Sequence, residues 1–195
     1  MTHERLARFL ANKGLLLRPL DDDHIIDWFD CGRDKHMNSW LCKHARRWQD
    51  EHLCQVWVLS STETPGEPIG FFTLSAHQVT PESVPTAHRT NARDNRAWVN
   101  NLQASFPASL LGKFALAAGF QGQEFGEILM LCAYAQHLEA ASHLGAKFLV
   151  LDAQHSNLAA YYETRFGFLH TSRVEGHERM IKSTKAIAAE LAEAL

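Results

Sequence analysis

Leu110–Met130 (LLGKFALAAGFQGQEFGEILM) constrains this chain more than any other stretch. An apolar run, Phe114-Ala115-Leu116-Ala117-Ala118, ends at Gly119. Gln121-Gly122-Gln123-Glu124-Phe125-Gly126 follows, and a helical pattern begins directly after it. A strand that passes through a glycine-bearing loop into a helix makes a corner where unpaired N–H groups point outward and the helix dipole favours negative charge. The ligand that suits such a corner is a phosphate.

Two kinds of phosphate loop are excluded. A Walker A loop needs G-x-x-x-x-G-K-[ST], and no Lys-Ser or Lys-Thr closes this one. A dinucleotide fingerprint needs G-x-G-x-x-G, and that glycine spacing is absent.

The loop resembles instead the Q/R-x-x-G-x-G/A loop of the GNAT acetyltransferases, with Gln121 first and Gly126 last; Glu124 stands where the family has glycine. Three further segments follow the same family in order. Phe29-Asp30-Cys31-Gly32 with Met37-Asn38-Ser39-Trp40-Leu41 is similar to the opening of the GNAT toxins of toxin–antitoxin pairs. Pro68-Ile69-Gly70-Phe71-Phe72-Thr73-Leu74-Ser75 is similar to their V-V-G-Y-Y-x-L strand. Asn157–Phe168 (NLAAYYETRFGF) is similar to the N-x-x-A-x-x-F-Y-E-x-x-G-F ending found across GNATs. The resemblance spans residues 15–182.

That resemblance implies an α/β (α+β) GNAT fold: a mixed, mostly antiparallel central sheet flanked by helices, with residues 1–14 as an N-terminal extension and 183–195 as a helical tail. It implies acetyl-CoA as substrate. The pyrophosphate would sit on Gln121, Gly122, Gln123, Glu124, Phe125, Gly126 and Glu127, with the amides of Gln123 to Glu127 as donors. The pantetheine arm would run along Phe114-Ala115-Leu116. Tyr162 matches the family tyrosine that protonates the leaving thiolate, and a one-place shift gives Tyr161 that role. Asn157 is either a pantetheine contact or a helix N-cap. A carboxylate of Glu124 facing the pyrophosphate at ~6 Å would cost about 0.7 kcal/mol in water and about 2.8 kcal/mol at an effective dielectric of 20.

Bulk properties agree with one domain of this kind. The chain has 195 residues, 46% hydrophobic and 21% charged, so disorder is excluded. No apolar run approaches the ~20 residues of a membrane span, and the N-terminus lacks a secretory core. Four cysteines (Cys31, Cys42, Cys54, Cys132) form no C-x-x-C pair, and Cys31 reads as a small buried residue. Twelve histidines form no metal motif. A cytoplasmic protein without metal or membrane partner is expected.

The net charge of −3 argues against broad nucleic-acid coating. Yet Arg33, Lys35, Lys43, His44, Arg46 and Arg47 gather in one stretch, and Arg89, Arg93 and Arg96 in another. Lys43, Arg46 and Arg47 fall on one edge of a helix, and with Arg93 they are the expected contacts to a tRNA backbone. The toxin-like resemblance implies acetylation of the α-amine of aminoacyl-tRNA, blocking translation, and a ribbon-helix-helix antitoxin as partner; a homodimer is compatible with it. The alternatives are a GNAT acting on a small amine or protein N-terminus, and a catalytically impaired GNAT-fold binding protein.

Periodicity predicts helices over 3–13, 38–51, 126–142, 157–164 and 183–195, and short ones from Asp23 to Phe29 and over Arg96–Gln103. Strands are predicted over 14–20, 54–60, 69–76, 110–117, 147–151, 168–171 and 178–181, with Ser156 or Asn157 capping the helix at 157 and one central parallel pair.

Overall fold

The computed structural model describes residues 2–32, 34–84 and 105–195. The elements run α1 (Thr2–Asn12), β1 (Leu15–Pro19), α2 (Lys35–Asp50), β2 (Gln55–Ser61), β3 (Pro68–Val79), β4 (Phe106–Leu116), α3 (Phe125–Leu144), β5 (Phe148–Ala153), α4 (Ser156–Phe166), β6 (Leu169–Val174), β7 (His177–Ser183) and α5 (Thr184–Ala194). The strands form a seven-stranded sheet in the order β1-β2-β3-β4-β5-β7-β6. The pairs β1/β2, β2/β3, β5/β7 and β6/β7 are antiparallel, while β4 and its neighbour β5 are joined through α3. The mixed, mostly antiparallel sheet with helices and a helical tail is the architecture expected from the sequence. The chain divides into two compact units: residues 1–75, 111–136 and 188–195, and residues 76–110 and 137–187.

In the first unit, α2 and the segment before it cover one face of β2 and β3. Alternation along Gln55–Ser61 turns Val56 and Val58 toward Trp40, Leu41 and Ala45 of α2 and toward Phe71, with Leu20, Ile26, Phe29, Cys31 and Ala115 closing the cluster. Trp40 stacks on Phe71 at 6.1 Å, and Phe29 meets the same ring edge-on at 5.3 Å. Trp48, farther along α2, is 40% exposed and meets Trp40 edge-on at 5.6 Å. Gly70 is required by contact: a Cβ there would meet Leu116 Cδ2 at 2.6 Å and Ala115 O at 2.9 Å, so β3 approaches the end of β4 as only glycine allows.

Three expected boundaries are corrected. Residues 23–29 form no helix. His24, Ile26 and Phe29 point inward while Asp23, Ile25, Asp27 and Trp28 are exposed, which is not a helical period. The Arg46 guanidinium donates to the carbonyls of Asp21 (2.5 Å), which also takes the His24 amide at 3.3 Å, and of His24 (2.9 Å). α2 starts at Lys35, because Asp34 accepts the Met37 amide as N-cap; Asn38 is occupied elsewhere. α4 is capped by His155, whose Nδ1 accepts the Leu158 amide at 3.2 Å, rather than by Ser156 or Asn157. The helix expected over Arg96–Gln103 lies outside the described residues.

In the second unit, Val79, Val84, Phe106, Ala108, Phe148, Val150 and Ile181 form the core, with Phe106 edge-on to Phe148 at 6.0 Å. The β6–β7 hairpin turns through Glu175 and Gly176, both at positive φ, as a two-residue connection of matching twist demands. Gly167 closes α4 in the left-handed conformation at φ 63°. The buried Lys182 donates from β7 to the Phe166 carbonyl at 2.5 Å, placing a cation on the C-terminal end of α4.

His137 is fully buried between two hydroxyls. Thr184 Oγ1 gives its proton to the Ala146 carbonyl at 2.5 Å, so His137 Nε2 donates to Thr184 at 2.9 Å and Nδ1 accepts from Ser109 at 3.1 Å. Burial lowers its pKa from 6.5 to about 4. The unfolded chain therefore binds a proton below pH 6.5 that the folded chain refuses. Stability falls as pH drops from 6.5 through 4, by about 3 kcal/mol at the acid end. We predict that in His137→Gln the urea midpoint changes less between pH 6.5 and 4 than in wild type; an unchanged slope would show that His137 is not the titrating group.

Candidate active site

The loop after β4 is braced before any ligand arrives. As β4 ends, the Ala117 amide donates to Ile69 O and the Ala118 amide to Asp30 O, each at 2.8 Å. A single 3₁₀ turn over Ala118–Phe120 follows. The Gln121 side chain then reaches back, donating to Cys31 O at 2.9 Å and Leu116 O at 3.0 Å. Gln123 donates to Gly119 O at 3.1 Å, and Phe120 packs edge-on to Phe125 at 5.1 Å. Gly122 turns at φ 71°, a conformation that favours glycine.

The opening motif supplies the other half of this brace. Asn38 Nδ2 donates to Asp30 Oδ1, and its Oδ1 accepts the Cys31 amide, both at 2.8 Å. Asp30 Oδ1 also takes the Gly32 amide at 2.8 Å; that bond, then Asn38, holds the Asp30 carboxyl below its ordinary pKa. The Cys31 thiol donates to Asp34 O at 3.4 Å, and burial pushes its pKa up. Cys31 is thus the small buried residue expected, without thiolate character.

The loop presents its amides at the start of α3. The Glu124 carbonyl accepts from the Glu127 and Ile128 amides at 3.1 Å each. The Glu127 amide, expected as a phosphate donor, is therefore committed to the helix. The amides of Phe125 and Gly126 precede the first intrahelical bond and carry the positive end of the dipole. Gln121 and Gln123 belong to the site as braces, by their side chains. Glu124 is 80% exposed at its side chain and pairs with Lys13 at 3.4 Å. On β4, Ala115 is buried and Phe114 and Leu116 are half-buried. The Lys113 amide there donates to the Thr73 hydroxyl at 2.9 Å.

In the second unit, α4 presents the two tyrosines differently. Tyr162 is 7% exposed and Tyr161 47%. Tyr162 packs against Tyr161, Phe168 and Phe166 with ring centroids 5.8, 6.0 and 6.1 Å away. Burial, and then the neighbouring Tyr161, push its phenol well above the ordinary range, so the proton stays on at neutral pH. Asn157 is exposed in the first turn, with the cap already supplied by His155.

The expected cationic edge of α2 is redistributed. Arg46 is half-buried, bonded to the Asp21 and His24 carbonyls and 3.2 Å from Asp22 Oδ1. It pins the 21–24 segment and leaves the edge. Lys43 is exposed. Arg47 is 74% exposed and tied to Glu51 at 2.8 Å. Arg93 lies outside the described residues. Sequence reasoning missed Lys13 and Lys182, whose partners Glu124 and Phe166 lie 111 and 16 positions away. A lone lysine within the apolar Met180-Ile181-Lys182 run was the one available signal for Lys182. Among the described residues no His/Cys/Asp/Glu group is arranged to hold a metal, and no helix is long and apolar enough to cross a membrane.

No protein-family model matches this sequence. Solved structures share the fold. A mutant of KacT, with tyrosine replaced by phenylalanine, superposes at TM-score 0.75 and 23% identity over 91% of this chain and 99% of that one. AtaT complexed with acetyl-methionyl-tRNAfMet superposes at 0.75 and 21% identity over 90% and 98%. A tyrosine-to-phenylalanine mutant of the toxin AtaT, bound to the C-terminus of the antitoxin AtaR and acetyl-CoA, superposes at 0.71 and 20% identity over 91% and 98%. The chain has the GNAT fold, and its structural neighbours are GNAT-fold toxins of toxin–antitoxin systems.

We predict that Asn38→Ala and Gln121→Ala each lower stability by about 1–2 kcal/mol, measured by urea unfolding. Amide exchange over 117–127 should accelerate in both. If exchange there stays at the wild-type rate, the bridge does not hold the loop.

Proposed function

We propose that this protein is an acetyl-CoA-dependent N-acetyltransferase that acetylates the α-amine of an aminoacyl-tRNA and so blocks translation. The observation that carries the reading is the braced strand–loop–helix corner at 116–127 on a GNAT fold, where the Phe125 and Gly126 amides stand at the positive end of the α3 dipole. Likeness to AtaT, whose structures include acetyl-CoA and acetyl-methionyl-tRNAfMet, supports it.

The corner would hold the pyrophosphate, Phe114–Leu116 the pantetheine arm, and Asn157 a further contact to it. The amine lone pair attacks the thioester carbonyl carbon, the C–S bond breaks, and the sulfur leaves as thiolate. Tyr162, still protonated, gives its proton to that sulfur, while the ammonium formed on the acceptor loses one to water. An α-amine with pKa near 8 is already partly neutral at pH 7, so no dedicated base is needed. Lys43 and Arg47 are the remaining α2 contacts to phosphate. A ribbon-helix-helix antitoxin, a homodimer, a cytoplasmic location and the boundaries at residues 14 and 182 belong to the same reading.

The internal use of Arg46 favours keeping a second reading, in which the acceptor is a small amine or protein N-terminus. Purified protein with acetyl-CoA and total aminoacyl-tRNA separates the two. Acetylated aminoacyl ends, in a reaction that slows steeply with salt, are expected. Equal acetylation of free amino acids would move the acceptor to the second reading. We further predict that Tyr162→Phe lowers kcat about a hundredfold with little change in acetyl-CoA affinity, since only the phenolic proton is lost. The same loss in Tyr161→Phe instead would assign the acid to the exposed tyrosine.

A further inference from the structure

Glu124 occupies a glycine position of the resembling loops, and alone its carboxylate would repel an arriving phosphate. It is not alone. Lys13 Nζ lies 3.4 Å from Glu124 Oε2, so the two charges at the lip of the loop cancel.

Lys13 is placed there by packing. Leu6 and Leu10 of α1 are 2% and 3% exposed, which fixes the helix. The Lys13 amide donates to Leu10 O at 2.9 Å, and Gly14, at φ 67°, turns the chain into β1 immediately afterwards. The ammonium lies 5.4 Å from the Phe9 ring centroid. Its side chain is 38% exposed and that of Glu124 80%. An ion pair this open to water is weak. A phosphate on the neighbouring amides, carrying more charge than one carboxylate, would draw the ammonium away at little cost.

We propose that Lys13 is a phosphate-binding residue of the loop and that Glu124 holds its ammonium in place until ligand arrives. The inference rests on the coenzyme A reading of the loop and adds to it a cation from outside the motif. The phosphate is either the pyrophosphate or the 3′-phosphate of the coenzyme.

Calorimetry on the full chain with coenzyme A and with dephospho-coenzyme A tests it. At 50 mM salt, Lys13→Gln should weaken coenzyme A about five- to tenfold, Lys13→Arg should stay within about twofold of wild type, and Glu124→Gln should tighten binding about threefold. The differences should shrink at 500 mM salt. Because Lys13→Gln also leaves the Glu124 carboxylate uncompensated, the loss is read on adding Lys13→Gln to Glu124→Gln. There, a loss shared by both ligands assigns Lys13 to the pyrophosphate and a loss for coenzyme A alone assigns it to the 3′-phosphate, either supporting the inference, while no loss in that background overturns it. Wild-type affinity in Lys13→Gln overturns it and leaves the loop reading standing. So does a weakening that Lys13→Arg does not rescue and that comes with a lower thermal midpoint. Failure of the wild-type chain to bind coenzyme A at all overturns the loop reading and this inference with it.

Discussion

The candidate site depends on one set of hydrogen bonds that joins two distant parts of the chain. Asn38, in the first turns of α2, fixes Asp30 and the Cys31 amide. Asp30 and Cys31 then offer their carbonyls to the Ala118 amide and the Gln121 side chain. The Asp30–Gly32 segment is therefore a rigid shim between α2 and the loop after β4. Each bond contributes about 1 kcal/mol net, but a donor or acceptor left unmatched under the shim costs more than the bond contributes. Under the phosphate-binding reading proposed for the loop, the value of the arrangement is preorganisation: amides aimed before a ligand arrives would lose less ordering entropy on binding.

The fold was legible where a periodicity or a glycine constraint was strong. Alternation over 54–60 and 69–76 pointed to the β2–β3 pair, and Gly70 proved to be the point where β3 touches the end of β4. What misled was the reading of local signals alone. A helix was expected from Asp23 to Phe29, but the His24 carbonyl, which such a helix would have bonded internally, accepts from Arg46, more than twenty residues away. Asn157 looked like a cap, but the preceding imidazole of His155 does that work. In each case a side chain outside the usual capping set satisfied the backbone.

At the candidate site, local sequence did not disclose the partners that the fold gives each residue. Gln121 marked the loop, yet its side chain binds the protein's own carbonyls. Glu124 looked like a defect while its partner, Lys13, stood 111 positions earlier with no pattern linking the two. The basic stretch around Lys43–Arg47 mixed two jobs that composition does not separate. Arg46 has the planar fork needed to take two carbonyls at once, while Lys43 and Arg47 face solvent. Charge counted along the sequence overstates the charge a helix offers to a partner by every residue the fold recruits.

Burial does the opposite for Tyr162. Tyr162 sits against Phe166 and Phe168, and burial there makes it hold its proton more tightly. A more basic phenolate makes a weaker acid, so the acid role proposed for Tyr162 requires a strongly basic acceptor such as a leaving thiolate. Lys182 donates its ammonium proton to the Phe166 carbonyl, one turn beyond Tyr162. A buried cation costs desolvation. Here it completes the last turn of α4 and so fixes the rotation of the helix that carries the phenol.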